Sequence, residues 1–88
     1  MYTYREEREV RGVSDWLIAT YLEKLGATSS APQVWEGDGW RVTIRPEPPV
    51  RVGSLHVGRV TLIMEALDEP TFEAFFKRFD VMLMRGGG

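Results

Sequence analysis

The sequence predicts an α+β domain in which two helices cover one face of an antiparallel sheet. Several short segments alternate between apolar and polar residues with a period of two, which is typical of strands with one buried face. Two other segments carry apolar residues at helical spacing, one near each end of the chain. Glycine and proline separate these segments. The predicted order is β-α-β4-α, with one helix after the first strand and one after the fifth.

Length and composition narrow the class of protein. The 88 residues predict a single domain that spans residues 1–88 and ends in a glycine-rich tail at residues 86–88. The net charge of −2 argues against general binding to nucleic acid. The chain has no cysteine, which excludes disulfides, cysteine-ligated zinc and cysteine nucleophiles. We therefore expect no cofactor that needs such ligands.

Two further features of the composition concern location and temperature. The charged N-terminus lacks the apolar stretch of a secretory signal, and no apolar run is long enough to span a bilayer. These observations predict a cytoplasmic protein that does not bind membranes. There is no Asn, one Gln, and nine Arg against two Lys, which predicts a thermophile. A GC-rich genome would also produce the arginine excess.

The first strand and the first helix occupy the first 26 residues. The strand is predicted over residues 2–10, with Tyr2 and Tyr4 on the same face. Its central charges predict a position at an edge of the sheet or partly in solvent. The helix is predicted over Ser14–Leu25, with Ser14 as the side-chain N-cap. Gly26 is expected to end the helix because glycine adopts positive φ without strain.

The middle of the chain predicts four more strands. Residues 28–32 are expected to form a loop, and Gly37-Asp38-Gly39 a hairpin turn. The prolines of residues 46–49 are expected to interrupt the sheet because proline lacks a backbone donor. Gly58 is expected to form a tight turn, after a bend at Gly53-Ser54. The predicted strands are residues 33–36, 40–45, 50–57 and 59–67.

The last element is a helix over Thr71–Met84, with Asp68 as its N-cap and Gly86 as its end. Its apolar residues recur at the spacing of one helical face. Both helices are expected to pack on the same face of the sheet. The side chains expected to be largely buried are Trp16, Leu17, Leu22, Trp40, Val42, Ile44, Leu62, Met64, Phe72, Phe75, Phe76 and Phe79.

With these elements placed, the chain resembles a known family over nearly all of its length. The residues that carry the resemblance are Trp16–Thr28, Val50–Leu55, Phe76–Phe79 and Arg85–Gly88. They are similar to the C-terminal domain of MoaD-related proteins, that is, proteins related to the small subunit of molybdopterin synthase. In that family a ubiquitin-like sulfur-carrier domain precedes a small domain of TATA-binding-protein-like fold. The resemblance implies this β-α-β4-α fold and a link to sulfur-carrier or molybdenum-cofactor biosynthesis.

Four basic side chains are the candidate ligand-binding or partner-binding residues. Because Trp40, Val42 and Ile44 are predicted to face the core, Arg41 and Arg45 are predicted to face the open side of the sheet. Neighbouring strands are expected to bring Arg51 and His56, and with them Arg59, beside these two arginines. Such a stripe would bind an anion, a phosphate or a partner's carboxylates. The alternative is a solvated face on which Glu47 and Glu65 neutralise the arginines.

The C-terminal glycines suggest a second kind of chemistry. A Gly-Gly terminus is what sulfur-carrier and ubiquitin-like proteins use for acyl activation, since a tail without side chains can enter an activating enzyme. Gly87 and Gly88 are therefore the site of an alternative function as a carrier. The competing interpretation is a glycine stop to the last helix.

Catalysis by the chain itself is not expected. His56 is the single histidine, and Ser54 lies two residues from it without a nucleophile-elbow motif, so a hydrolase is the least favoured alternative. No spacing of His, Asp or Glu indicates a metal site. The sequence therefore predicts a small binding or assembly module that is not an enzyme. An open sheet face with free edges further predicts a homodimer, and contact with a protein partner.

Overall fold

The computed structural model describes residues 1–86, which form one five-stranded sheet and two helices. The strand order is β1-β5-β4-β3-β2, and every neighbouring pair is antiparallel. The elements are β1 (Tyr4–Arg11), α1 (Asp15–Lys24), β2 (Thr28–Ala31), β3 (Val34–Gly37), β4 (Trp40–Val52), β5 (Leu55–Ala66) and α2 (Glu69–Gly86). The predicted α+β class and the order β-α-β4-α are confirmed. β1 lies at an edge, as its central charges predicted.

A single core lies between the helices and one face of the sheet. Alternate residues of β4 and β5 supply the floor, and α1 and α2 supply the cover, so both helices pack on the same face. Trp40 stacks on Phe75 with ring centroids 4.1 Å apart, and Tyr4 stacks on Phe72 at 4.5 Å. The buried apolar residues are Val13, Ile18, Leu22, Ala27, Trp40, Val42, Ile44, Val60, Leu62, Met64, Ala66, Phe72, Phe75 and Phe79.

Three residues expected in the core are not fully buried. Trp16 is 68% exposed, so its predicted burial is wrong. The buried stripe of α1 runs through Ile18 and Leu22, and at 3.6 residues per turn Trp16 lies almost opposite Ile18. Leu17 and Phe76 are partly buried and pack against the margin of the core. The remaining expected core residues are buried.

The ends of α1 differ in how well the sequence predicted them. Ser14 is the N-cap position, but its side chain makes no capping hydrogen bond. The Asp15 carboxylate instead accepts a hydrogen bond from the backbone of Trp16 at 2.9 Å. At the other end Gly26 has φ +97°, as predicted. Its N–H donates to the Glu23 carbonyl, and the next residue donates to the Leu22 carbonyl, which is the Schellman arrangement.

The prolines of residues 46–49 do not interrupt the sheet, contrary to the prediction. β4 continues through them to Val52. The backbone N–H of Ile44 points away from β5, because it donates to the Gln33 carbonyl beyond β4's other edge. By alternation, the nitrogens of Pro46 and Pro48 also face that outer edge, where no donor is needed. The predicted loop at residues 28–32 is also wrong, since β2 pairs with β3 there.

One hairpin turn was predicted in the wrong place. β5 runs unbroken through Gly58, and the chain reverses at Gly53-Ser54, where Gly53 has φ +62°. Pro48 and Pro49 together face Gly58 alone, which makes a β-bulge in β4. Residues 48–58 form a two-stranded extension past the core, which we call the hairpin arm. With it the described chain measures 43 × 23 × 20 Å.

The second helix starts as the sequence predicted. The Asp68 carboxylate accepts a hydrogen bond from the Thr71 N–H at 2.9 Å, which is an N-cap contact. The Thr71 side chain, and then this backbone bond, lower the pKa of Asp68 by hydrogen bonding to its carboxylate. The helix reaches Gly86, which is the last described residue, so the prediction that Gly86 ends it stays a prediction. The predictions about Gly87 and Gly88 lie outside the described residues.

Phe79 is the aromatic side chain on which the core depends most, because it is fully buried. We expect Phe79→Ala to lower the free energy of unfolding by about 3–5 kcal/mol. Phe76→Ala removes the same atoms from a partly buried site, so its cost should be clearly smaller. Urea unfolding of both variants measures the difference. Equal losses would contradict the assignment of Phe79 to the centre of the core.

Replacement of Gly26 should destabilise the fold because of its backbone conformation alone. An added Cβ would meet no atom within 4 Å there, yet φ is +97°. We therefore expect Gly26→Ala to cost about 1–2 kcal/mol of stability. Gly58→Ala is the matched control, because its Cβ would also meet nothing within 4 Å and its φ is not positive. Thermal unfolding that ranks the control as the more damaging change would refute this explanation.

Candidate functional site

The face of the sheet that the helices leave uncovered, which we call the open face, carries paired charges. We call the ion pairs of Arg41, Arg45 and Arg59 the lattice. Arg41 donates from Nε and Nη2 to one Glu65 oxygen, at 3.0 and 2.8 Å. This contact is the main reason that the pKa of Arg41 is raised. Its guanidinium also lies 4.9 Å from the centre of the Tyr2 ring, and the Tyr2 hydroxyl donates to Glu36 at 3.1 Å. Arg41 is therefore already held by a carboxylate and an aromatic ring.

Tyr2 is a member of this face that sequence reasoning placed wrongly. The sequence predicts Tyr2 and Tyr4 on the same face, but Tyr4 packs among the helix residues while Tyr2 contacts Arg41. The regular alternation of β1 begins only at Tyr4, so it does not extend to Tyr2. Burial, followed by the Glu36 hydrogen bond, raises the pKa of the Tyr2 hydroxyl.

The second candidate arginine is neutralised in the same way. Arg45 donates from Nε to Glu47 at 2.8 Å, and its Nη2 lies 4.0 Å from Glu7. Glu47 also accepts from the Thr61 hydroxyl at 3.0 Å. The Arg45 contact, and then the Thr61 contact, lower the pKa of Glu47. Glu47 and Glu65 thus take the positions that the solvated-face alternative predicted for them.

Arg59 is the third paired arginine of the open face, and it directly follows the hairpin arm. It donates from Nε to the Pro48 carbonyl at 2.7 Å and approaches Glu9 at 3.5 Å. Glu9 also accepts from Arg11 at 2.6 Å, and this bond is the main cause of its lowered pKa. The carbonyl contact fixes the arginine against the bulge. The guanidinium groups of Arg41, Arg45 and Arg59 therefore each donate to an acceptor within the same chain.

Arg51 and His56 do not join Arg41 and Arg45. They pair with each other across the hairpin arm, roughly 30 Å along the strand from Arg41. The bulge at Pro48-Pro49 shifts the alternation of β4, so the register places Arg51 and His56 on the opposite face of the sheet. The Arg51 Nε donates to the Gly53 carbonyl at 3.1 Å. The structure thus divides the predicted stripe into two separate pairs, and whether either pair binds a ligand stays a prediction.

Groups suited to catalysis do not come together in the described part of the chain. Ser54 is in the exposed turn of the hairpin arm and His56 is exposed two residues later. Residues 48–58 contain no Asp or Glu that would orient the imidazole. Within residues 1–86, no three His, Asp or Glu side chains are grouped so that they could hold a metal ion.

A shallow cleft of about 470 Å³ lies where α1, the β3–β4 turn and α2 meet. Its floor includes the stacked rings of Trp40 and Phe75. Asp38 and Arg78 line it, and neither forms an ion pair or side-chain hydrogen bond within the described residues. The sequence analysis did not anticipate this cleft, because its walls come from three elements that are distant in the chain.

Together these features define a small α+β module with a charged, self-neutralised sheet face and a projecting hairpin. A family profile described as archaeal MoaD-like protein matches residues 6–88. The chain belongs to this family, which confirms the resemblance to MoaD-related proteins. A search of curated proteins found no match. None of the helices in the described residues is long and apolar enough to cross a membrane.

The ion pair between Arg45 and Glu47 should make stability depend on pH. Since the pKa of Glu47 is lowered in the folded chain, its contribution is complete above the unfolded value of about 4.3 and is lost as the pH falls through the folded value. Glu47→Gln should therefore lose stability at neutral pH and little in acid. Glu23→Gln, which removes a charge outside the lattice, is the control. Urea unfolding across this pH range tests it, and parallel curves for Glu47→Gln and wild type would contradict it.

Proposed function

We propose that this protein is a non-catalytic binding or assembly module of sulfur-carrier or molybdenum-cofactor biosynthesis, and that it acts in the cytoplasm. The observation that carries the proposal is the family match over residues 6–88. The family is related to the small subunit of molybdopterin synthase, a protein that works in contact with partners. The proposed partners are therefore proteins of that system, together with a second copy of this chain.

The geometry of the open face supports binding through protein surfaces over binding of a small anion. A free phosphate would have to displace Glu65 from Arg41, whose two contacts are 2.8 and 3.0 Å long. Charge-assisted hydrogen bonds of this kind are among the stronger polar contacts in proteins. A protein surface, including that of a second copy, can instead add contacts to the paired charges without breaking them.

A carrier protein activated at the C-terminal carboxylate of Gly88 is the second candidate. The observation that favours it is that the family match includes the terminal glycines. Against it, the described chain enters the tail from the helix α2, whereas ubiquitin-like carriers extend their tail from a strand. The hydrophobic face of α2 is also buried on the sheet, so unwinding the helix to lengthen the tail would expose core residues.

Mass spectrometry separates the two candidates. The full chain is incubated with ATP, a sulfur donor and the activating enzyme for the sulfur carrier of the same cell. For an assembly module we expect the intact mass to stay unchanged, because no carboxylate is converted. An increase equal to exchange of one oxygen for one sulfur, lost on deletion of Gly87 and Gly88, would establish the carrier instead.

Calorimetry tests the assembly role directly. The chain is titrated with the purified sulfur carrier and with each subunit of molybdopterin synthase. We expect saturable binding to at least one of these, unchanged by deletion of Gly87 and Gly88 because the binding surface is on the folded domain. Absence of binding to all of them would refute the proposed role in this system.

A further inference from the structure

The hairpin arm exposes an aliphatic face that one copy of the chain leaves uncovered. Val50 faces Val57 across the two strands, and Val52 faces Leu55. Leu55 is 67% exposed and Val52 is 56% exposed. A two-stranded hairpin without a packed face is only marginally stable in water. Burial of these four side chains would therefore stabilise the arm.

The outer edge of β4 in this arm is poorly suited to strand addition, which favours contact through the aliphatic face. Pro46 and Pro48 carry no N–H at that edge, and Pro49 lies in the bulge. The reverse face carries Arg51 and His56 and no acidic residue. Contact through the aliphatic face keeps these basic groups of two copies apart.

The cross-strand register makes the face self-complementary. Two of the open-face pairs between β4 and β5 combine opposite charges, namely Arg41 with Glu65 and Glu47 with Arg59. Each of the other pairs contains at least one uncharged residue. Consider a two-fold axis that runs parallel to the strands, between β4 and β5. Each β5 residue then lies over a β4 residue of the second copy, and this β4 residue has the same number as the one that the β5 residue faces within its own chain. The pairs in order are Arg41 with Glu65, Thr43 with Ile63, Arg45 with Thr61, Glu47 with Arg59, Val50 with Val57, and Val52 with Leu55.

We infer that two copies of this chain stack by the open faces of their β4–β5 hairpins, about a two-fold axis parallel to the strands. Leu55 then lies over Val52 of the second copy, and Arg59 lies over its Glu47. No open-face pair along the hairpin opposes two like charges. The ion-pair lattice becomes the polar part of the interface, and the arm becomes its apolar part.

The available area fits this arrangement. The largest side of the described chain measures 43 × 23 Å, and an axis between β4 and β5 lets four of the five strands overlap, which gives at most about 800 Å² per copy, the size of a standard interface. The arm alone covers far less, so contact by the arms without the sheet would not hold two copies together. This inference names the surface for the homodimer of the proposed function.

Sedimentation equilibrium at micromolar concentration tests the surface. We expect wild type at twice its mass of 10.1 kDa. Leu55→Glu should weaken self-association at least about tenfold, because it buries an unpaired charge. His56→Glu is the matched control, since it adds the same charge to the reverse face of the arm and should leave the dimer intact. Circular dichroism melting checks that both variants fold.

Cross-linking tests the axis. The chain has no cysteine, so Leu55→Cys and His56→Cys each introduce a single thiol. With a short bis-maleimide, Leu55→Cys should form a covalent dimer, because two stacked sheets lie about 10 Å apart. His56→Cys should not, because its thiols lie on the outer sides of the two arms. A monomeric wild type, equal effects of the two glutamate variants, or equal cross-linking would each overturn the inference. None of these results depends on the titrations with the carrier and synthase subunits.

Discussion

The pairing of β4 with β5 is the interaction on which the rest of the structure depends. These two strands are the longest in the sheet, and their alternation separates two environments. On one side Val42, Ile44 and Leu62 form the floor on which both helices pack. On the other side the same strands hold the ion pairs of Arg41 and Arg45. A shift of register by one residue would exchange the two sides, so the apolar core also fixes the charge lattice.

The bulge at Pro48-Pro49 is the second constraint, because it reverses the faces to which odd- and even-numbered residues of β4 point. An extra residue in β4 changes which side chains share a face beyond it. Because of it, Val50 and Val52 lie on the open face and Arg51 lies on the reverse. The prolines also deny strand addition at the outer edge of β4. The same short segment therefore decides which side chains the arm exposes on each face and disfavours strand addition at the outer edge of β4.

Paired charges on the open face bear on both function and stability. Seven ion pairs lie within 4.0 Å in the described residues, six on the open face and one, between Arg8 and Glu6, on the helix side; their side chains are only partly buried, so each contributes little alone. Two small networks, Arg5–Glu7–Arg45–Glu47 and Arg11–Glu9–Arg59, link five of these pairs, and such networks are common in proteins that work at high temperature. A thermophilic origin remains a prediction. The lattice also explains why a row of arginines in the sequence is not a row of free cations.

The sequence by itself determined the fold class, both helices, the Gly26 stop, the Asp68 cap and the inward face of Trp40. Each follows from local periodicity or from the backbone freedom of one residue. Tertiary structure decided the rest. The path of β4 through the prolines depends on which edge their nitrogens face, and the exposure of Trp16 depends on which stripe of α1 meets the sheet. Likewise, Arg51 and His56 part from Arg41 because a bulge changes parity, and a bulge is defined only by the partner strand.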